Sequence, residues 1–303
     1  MYSLHDIMIP AGRTAKLVRL PDPMNEEFRV SEVCDKLKFV EAAPVIILSG
    51  AMGTKNAKVL AGIARAAFRS GATIIDSGIG SGIEKFCMRK DVPLVGVCPE
   101  AEIAYPKINP TKRKDNELTN GHTHFFLLGD DADKTFTWGE EAKVKTDLAL
   151  RIAKGRSKYG NAPTCKIVTI VLGENPASSI EDIKQAQENC FPCIFLQGSA
   201  LSNDVIVAKG GFPKDESEEK KEPAADAGEP EADKPVEDEL KGDGQIEDPF
   251  LKDFADEGKF FICKSNSEDI ANISHLALTI TLLDLKPPAK EEEAEGEPQA
   301  AAV

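Results

Sequence analysis

The fold of this chain is decided by the stretch Thr73-Ile-Ile-Asp-Ser-Gly-Ile-Gly-Ser-Gly-Ile-Glu-Lys-Phe86, where an apolar run meets three alternating glycines and then a helical segment. A strand that stops at glycines and feeds a helix leaves backbone N–H groups unpaired at the helix start, with no side chains in front of them. Such a turn can hold a phosphate or another anion. The spacing Gly-x-Gly-x-Gly is not the dinucleotide fingerprint, so a tight turn without a ligand is the alternative.

The rest of the chain repeats this order of short apolar strand and helix. We predict strands at residues 13–20, 45–48, 73–76, 94–97, 125–128, 166–172, 194–196 and 260–263. We predict helices at residues 25–39, 57–70, 83–89, 139–154, 180–189 and 269–285. Short, apolar strands that alternate with helices are typical of a parallel sheet covered on both faces. The sequence therefore predicts an α/β fold with a doubly wound, mostly parallel sheet.

The net charge of −14 is concentrated in two segments. Residues 214–248 hold fifteen acids and five lysines, and residues 286–303 hold five acids and two lysines, which leaves −1 for the remainder. Such compositions bury too little apolar surface to offset their ordering entropy, so we expect a disordered insert and tail. The predicted organisation is a core at 1–212, an acidic insert at 213–248, a final strand and helix at 249–285, and an acidic tail at 286–303.

The same composition bears on partners and location. The chain has no basic excess that would favour nonspecific nucleic-acid binding. No apolar run approaches the ~20 residues of a membrane span, and no signal peptide is evident. Seven scattered cysteines suit a reducing, cytoplasmic compartment. Cys190-Phe-Pro-Cys193 precedes a strand instead of opening a helix, which favours structural thiols over a redox pair.

Three predicted strands end in small, polar turns, at Ser49-Gly50-Ala51, at Ser77-Gly78-Ile79-Gly80 and at Gln197-Gly198-Ser199. In a doubly wound sheet a ligand lies in the crevice beyond the carboxyl ends of the strands. If these strands are neighbours, the three turns line one crevice. The sequence thus predicts a ligand site at this edge of the sheet.

Motifs in a fixed order give the chain a family resemblance. They are Ser-Gly-Ala at 49–51, Ile-Asp-Ser-Gly-Ile-Gly-Ser-Gly-Ile at 75–83, Pro-Leu-Val-Gly-Val-Cys-Pro-Glu at 93–100, Gly-His-Thr-His-Phe-Phe-Leu-Leu-Gly-Asp at 121–130, Trp-Gly-Glu-Glu at 138–141 and Leu-Gln-Gly-Ser at 196–199. Over roughly residues 10–212 the chain resembles the LSDAT branch of the SLOG superfamily. That branch includes the N-terminal region of TRPM channels and bacterial relatives, and the superfamily includes the Lonely Guy phosphoribohydrolases.

The resemblance implies a Rossmann-like fold with a pocket for a nucleotide-derived ligand, such as a molecule related to ADP-ribose or NAD. It places thirteen residues at the ligand, with no catalytic residue and no metal ligand. They are Ser49, Gly50, Ala51, Ser77, Gly78, Gly80, Ser81, Gly82, His122, His124, Gln197, Gly198 and Ser199. The chain departs from the family pattern by having Ser49 and Ser77 in place of glycines. The segment Ala200-Leu-Ser-Asn203 also lacks the family's arginine, a natural phosphate partner.

His122 and His124 alternate in the sequence, so in a strand both would face the same way. With Asp130, Glu140 or Glu141 they could ligate a metal, but packing or a hydrogen bond to the ligand is the simpler interpretation. Trp138 could stack a base or close the edge of the core.

The phosphoribohydrolase motif is absent from Leu172-Gly-Glu-Asn-Pro-Ala-Ser-Ser-Ile-Glu181, which lacks the glycines that bring N–H groups to a phosphate. Ser178 or Ser179 is the expected cap of the following helix. We therefore expect no hydrolase activity; if the chain were a hydrolase, Glu84 and Glu181 are the acids we would nominate.

Three hypotheses follow from the sequence. The first is a non-enzymatic binding or sensor module for a nucleotide-derived ligand. The second is a ligand-free SLOG scaffold that acts as a subunit of a homo-oligomer or a larger assembly. The third is a nucleotide-processing hydrolase.

Overall fold

A computed structural model describes ten ranges of the chain. They are residues 2–9, 14–20, 30–51, 57–103, 116–129, 135–156, 165–212, 246–258, 260–265 and 267–279. Most of the acidic insert, the acidic tail and Asp130 lie outside these ranges.

Nine strands form one sheet in the order β1-β2-β6-β5-β4-β3-β7-β8-β9. Their bounds are β1 Ser3–Met8, β2 Thr14–Leu20, β3 Val45–Ser49, β4 Thr73–Asp76, β5 Leu94–Pro99, β6 His124–Leu128, β7 Ile167–Val171, β8 Cys193–Leu196 and β9 Phe260–Cys263. Only the β1–β2 pair among the described strands is antiparallel. This confirms the predicted Rossmann-like, doubly wound and mostly parallel sheet.

Eight helices accompany the sheet in the described ranges. They are α1 Val30–Lys36, α2 Ala57–Ser70, α3 Glu84–Lys90, α4 Ala142–Lys154, α5 Pro176–Glu188, α6 Ala200–Ala208, α7 Pro249–Glu257 and α8 Ser267–Thr279. Helices α2, α3 and α8 pack on one side of the sheet, which we call the α2 side. Helices α1, α4, α5, α6 and α7 pack on the other, the α4 side. Helices on both sides explain why the central strands β3, β4, β5 and β7 are entirely buried.

Three elements were not anticipated from the sequence. Strand β1 is a largely exposed edge strand, so it lacks the apolar run that marks the buried strands. Helix α6 is a nine-residue helix capped by the Ser199 side chain, which accepts from Ser202 N at 3.2 Å. Helix α7 begins at Pro249, and Asp248 caps it by accepting from Leu251 N at 3.0 Å.

The start of α7 also bears on the predicted bounds of the insert. Ile246 packs against the cluster around Val205 and Leu251 on the α4 side. Because Ile246 packs and Asp248 caps a helix, both belong with the folded part. The candidate insert is therefore reduced to residues 213–245, which lie outside the described ranges. The predicted helix at 269–285 is observed over Ser267–Thr279, where the described residues end.

The expected cap of α5 is corrected. Asn175, rather than Ser178 or Ser179, caps this helix by accepting from Ser178 N at 3.4 Å. Pro176 occupies the first turn, where its missing N–H costs nothing. The Asn-Pro pair was the sequence signal for this helix start.

Candidate functional site

The turns proposed from sequence lie side by side at one edge of the sheet. Strands β4 and β3 are neighbours, whereas β7 lies between β3 and β8. All four strands are parallel, so their carboxyl ends meet at the same edge. The strand order reverses between β3 and β7, and such a switch point opens a crevice in doubly wound folds.

Hydrogen bonds join these turns to each other. Ser77 Oγ, after β4, donates to the Ala51 carbonyl oxygen, after β3, at 2.9 Å. Glu174 N, after β7, donates to the Gly50 carbonyl oxygen at 3.1 Å. The turns after β4, β3 and β7 therefore form one connected rim.

Close backbone approach explains two glycines of this rim. Gly50 has a φ of +64°, and a Cβ there would collide with Ser179 Oγ. Gly173 has a φ of +75°, and a Cβ there would press on Ser199 Oγ and Ser202 Oγ. Glycine lets the backbone adopt the left-handed conformation and leaves room for these hydroxyls. The turns after β3, β7 and β8 are thereby packed into one surface.

The turn after β8 is the most accessible of the set. Gly198 is exposed, whereas Gln197 and Ser199 are half-buried. Gly198 N donates to Asn203 Oδ1 at 2.9 Å, and Ser265 Oγ donates to the Gln197 carbonyl oxygen. These bonds fix the entrance to α6 at the rim. Ser49, Gly50, Ala51, Ser77 and Gly78, by contrast, are buried and form its floor.

The glycines of the turn after β4 have different tasks. A Cβ on Gly78 would lie 3.2 Å from Gly96 Cα and 3.3 Å from Phe125 Cδ1, and its φ is +73°. Gly82 also has a positive φ, of +87°. Gly80 is exposed and needs no left-handed backbone, and a Cβ there would meet only Thr119 Cγ2, at 3.7 Å. Gly80 is thus the glycine of this turn that the fold itself does not require.

A buried polar network lies beneath the glycine turn. Asp76 Oδ1 accepts from Gly78 N and bonds His122 Nε2, each at 2.8 Å. His122 Nδ1 lies 3.2 Å from the Thr119 carbonyl oxygen. Burial lowers the pKa of His122, but the charge and hydrogen bond of Asp76 outweigh it and raise the pKa above its usual value. With both ring nitrogens engaged, His122 holds the turn in place.

Glu84 adds a second carboxylate to this network. Ser81 Oγ donates toward Glu84 Oε2 at 3.4 Å and toward Asp76 Oδ2 at 3.5 Å. Burial raises the pKa of Glu84, and the nearby Asp76 charge acts in the same direction. Negative charge close to the turn opposes the binding of an anion there.

His124 does not join His122, which corrects the expectation that both face the same way. The His124 ring centroid lies 4.7 Å from that of Phe39, whereas His122 lies 4.9 Å from Phe125. The strand begins only at His124, so strand alternation does not extend to His122. Burial, with a smaller effect of the Lys16 charge, lowers the pKa of His124 to about 4.

The acids proposed as partners of a metal lie in other interactions. Glu140 Oε2 accepts from Thr137 N at 2.8 Å, and Glu141 is buried beside Lys145. Among the described residues, His, Cys, Asp and Glu side chains form no group of three placed to hold a metal ion. Trp138 is half-buried and packs against the core cluster around Phe125 and Leu127.

Sequence reasoning missed a fully buried ion cluster on the α4 side. Lys145 Nζ lies 3.0 Å from Asp182 Oδ2, 3.1 Å from Glu141 Oε1 and 3.0 Å from Ser178 Oγ. Burial lowers the pKa of Lys145, but the charges of Asp182 and Glu141 raise it overall. The spacing of Glu141 and Lys145 by four residues was the sequence signal, although that pattern normally marks an exposed pair.

The buried cluster borders the candidate site. Burial raises the pKa of Asp182 against the opposing charge of Lys145, and the Ser49 hydroxyl at the end of β3 lies beside this carboxyl. Ser178, in the first turn of α5, precedes Ser179, which packs on Gly50. Helix α5 therefore carries both Ser178, which belongs to the cluster, and Ser179, which packs on the floor of the rim.

Glu181, the acid nominated at the position of the hydrolase motif, pairs with a lysine on its own helix instead of with the rim. Glu181 Oε1 forms an ion pair with Lys184 Nζ at 2.7 Å, and both side chains are substantially exposed. Exposed ion pairs of this kind on a helix surface contribute little to the stability of the fold.

The Cys190/Cys193 pair is not a disulfide, and all seven cysteines are free thiols. Burial raises the pKa of Cys193 to about 12, so its thiolate is disfavoured.

The chain is similar to a known protein family in sequence and to solved structures in part. The family model described as SLOG in TRPM, prokaryote, matches residues 42–233. Two solved structures are similar in part. The molybdenum cofactor binding protein from the phototrophic bacterium Rippkaea orientalis is 11% identical with a TM-score of 0.31, over 55% of this chain and 83% of that one. DNA processing protein A (DprA) from Streptococcus pneumoniae is 13% identical with a TM-score of 0.33, over 54% of this chain and 53% of that one. No curated protein matches the chain in sequence.

Within the described part of the chain, no helix has both the length and the apolar character needed to cross a membrane.

Proposed function

Because the chain belongs to the prokaryotic branch of the SLOG domains related to those of TRPM, we propose that it is a non-enzymatic module that binds or senses a nucleotide-derived ligand related to ADP-ribose or NAD. The ligand lies across the rim formed by the turns after β4, β3, β7 and β8. The free thiols are in keeping with a reducing, cytoplasmic location.

The observation that carries this proposal is the connected rim at the switch point of the sheet. Ser77 Oγ bonds the Ala51 carbonyl oxygen, and Gly173 packs against Ser199 Oγ. Four turns from neighbouring strands thereby bring small residues together at the carboxyl edge of the sheet, which is where doubly wound folds place their ligands.

We assign different roles to the buried and accessible residues of the rim. The accessible backbone at Gly80, Gly82 and Gly198 would contact the phosphate-bearing part of the ligand, because no side chain there blocks its approach. The buried residues Ser49 to Ala51 would form the floor beneath the ligand. His122 supports the glycine turn through Asp76, and His124 lies on the other side of the sheet.

Two observations support binding rather than catalysis. His122 has both ring nitrogens engaged by Asp76 and Thr119, so it is not poised as a general base. Glu181 is paired with Lys184 on the helix surface.

A second function, that of a ligand-free scaffold within a homo-oligomer or a larger assembly, is favoured by the chemistry of the glycine turn. Gly78 N already donates to Asp76, so this N–H is not available to an anion. The buried carboxyls of Asp76 and Glu84 place negative charge beneath the turn where a phosphate would lie.

A thermal-shift titration of the full chain with ADP-ribose, NAD and AMP tests the two functions. A ligand that binds the native state stabilises it by about 2.7 kcal/mol at a concentration of one hundred times its Kd. The melting temperature therefore rises with ligand concentration. We expect at least one of the three to do so and to be recovered intact by chromatography. No shift with any of them favours the scaffold, and release of the base would point to the hydrolase.

A further inference from the structure

The outer surface of α2 and α3 carries positive charge in a chain whose net charge is −14. We call this surface the α2–α3 face. Its cations are Lys58, Arg65, Arg69, Lys85, Arg89 and Lys90. Both helices are described throughout, and Glu84 is their one carboxylate, buried beside Ser81. Asp91, the exposed cap residue at the end of α3, borders the face, so six cations stand against one exposed carboxylate.

An exposed aromatic ring lies within this charged surface. Phe68 on α2 is 57% exposed, the largest exposed fraction of any aromatic side chain in the described ranges. Lys90 Nζ, on α3, lies 5.3 Å from the centroid of the Phe68 ring, which brings the two helices' cations together. A large exposed apolar side chain bordered by cations is typical of a surface that binds an acidic segment.

The position of the face is set by the topology. Helices α2, α3 and α8 follow parallel strands and pack on the same side of the sheet, so each returns from its carboxyl edge to its amino edge. Their last turns therefore meet at the edge opposite the candidate site. Helix α8 packs against α2, and the described chain ends at Thr279, in the last turn of α8. The described chain thus ends on the side of the sheet that carries the α2–α3 face.

We propose that the α2–α3 face binds the chain's own acidic run Glu291-Glu-Glu-Ala-Glu-Gly-Glu297. The run supplies five carboxylates within seven residues, against six cations on the face. The residues between Thr279 and Glu291 span up to about 36 Å when extended. Packed helices lie about 8–10 Å apart, so a run starting at α8 reaches across α2 to α3. Tethering gives it an effective concentration of about millimolar.

The other acidic segment of the chain is a poorer occupant, although it carries more charge. The insert leaves the described chain after Phe212 and returns at Ile246, and both residues pack in the cluster on the α4 side. It therefore starts on the opposite side of the sheet from the α2–α3 face. The last described residue before the tail, Thr279, lies on the same side as the face, at the end of a helix that packs against α2.

The contact would shield the basic surface from other polyanions and would weaken with salt. The screening length falls from about 10 Å at 0.1 M to about 3 Å at 1 M ionic strength, so the contact is lost at high salt. Arg69, Arg89 and Lys90 lie in the last turns of α2 and α3, at the edge of the sheet opposite the candidate site. Lys58 and Lys85 lie in the first turns, at the same edge as the site. The contact depends on the charge on the outer surface of these helices and does not require the proposed ligand.

Carbodiimide cross-linking of the full chain at low salt tests the proposal. The reagent joins a lysine amine to a carboxylate in contact with it, as an amide, and peptide mass spectrometry locates each bond. We expect amides from the glutamates of 291–297 to Lys58, Lys85 or Lys90, and their loss in 1 M salt. Lys143 and Lys252, which lie on the α4 side, serve as the internal reference. Amides from the same glutamates to these two lysines should be fewer than amides to the face.

Two charge-reversal variants complete the experiment. R69E/R89E reverses two exposed cations of the face and should abolish these amides, whereas R156E/K252E reverses two exposed cations elsewhere and should leave them unchanged. A mixture of ¹⁴N and ¹⁵N chains separates bonds within one chain from bonds between two. Amides only between chains, equal amides to the reference lysines, or amides to the face from the insert instead of the tail would each overturn the proposal.

Discussion

At the scale of single residues, the buried ammonium of Lys145 is the group whose loss should cost the fold the most stability. Its three protons are directed at Asp182, Glu141 and Ser178, and none of these side chains retains appreciable exposure. A buried charge is tolerated only when its partners are in place. The cluster is therefore a structural requirement for the join between α4 and α5.

We predict that Lys145→Met destabilises the fold by about 3–5 kcal/mol, because it leaves two buried carboxyls without their cation. Urea denaturation monitored by circular dichroism measures the change. Lys143→Met on the same helix is the matched control, since Lys143 pairs with Asp147 at 3.2 Å on the surface. Such exposed pairs contribute about 0–1 kcal/mol. Equal losses in the two variants would show that the cluster is not a stabilising element.

Some residues of the candidate site could be predicted from the sequence, and others could not. The turns at 49–51, 77–80 and 197–199 could be predicted because small residues follow apolar runs. The cluster at Lys145 could not, because Lys145 and Asp182 are 37 residues apart and meet only when α4 and α5 pack. The role of Gly78, packed against Gly96 and Phe125, likewise depends on the pairing of β4 with β5.

At the scale of elements, burial decides which segments could be predicted. Strand β3 is buried along its whole length, and its apolar run was evident in the sequence. Strand β1 has no such run because it is exposed at the edge of the sheet. Asp248 and Pro249 are the cap and first-turn residues typical of a helix start, and they begin α7. Because they follow a long acidic run, this helix start was not recognised in the sequence.

Element ends depend on caps that the sequence offers in more than one place. At the start of α5, Asn175, Ser178 and Ser179 are all candidate caps. Pro176 decides between them, because its ring is favoured in the first turn and it cannot donate a hydrogen bond. The observed cap at Asn175 follows from that constraint.

At the scale of the whole molecule, the charge is separated from the core. The acidic insert joins Phe212 to Ile246, and both side chains pack in one cluster. The ends of the insert are thus held by the fold itself, and a shorter connection should serve as well.

We predict that replacing residues 214–244 with a short Gly/Ser linker leaves the melting temperature nearly unchanged. Loop-closure entropy changes by only about 0.6 kcal/mol for each halving of loop length. Calorimetry measures the transition, and Asp248→Ala serves as the comparison, because loss of a helix cap costs about 1 kcal/mol. A fall in melting temperature larger than that of Asp248→Ala would show that the insert stabilises the fold.

We propose that the rim at the carboxyl ends of β4, β3, β7 and β8 binds a nucleotide-derived ligand. Gly80 offers the most direct test, since a Cβ there meets only Thr119 Cγ2 at 3.7 Å and the fold does not need a glycine. The Gly80→Val variant should therefore keep most of its stability while placing a side chain where the ligand approaches. Ala208→Val, at an exposed position at the end of α6, is the matched control.

The decisive measurement is calorimetric titration of the wild type and both variants with whichever of ADP-ribose, NAD and AMP stabilises the chain most. We expect Gly80→Val to abolish binding and Ala208→Val to bind as the wild type does. Unchanged affinity in Gly80→Val would contradict the placement of the ligand at this turn.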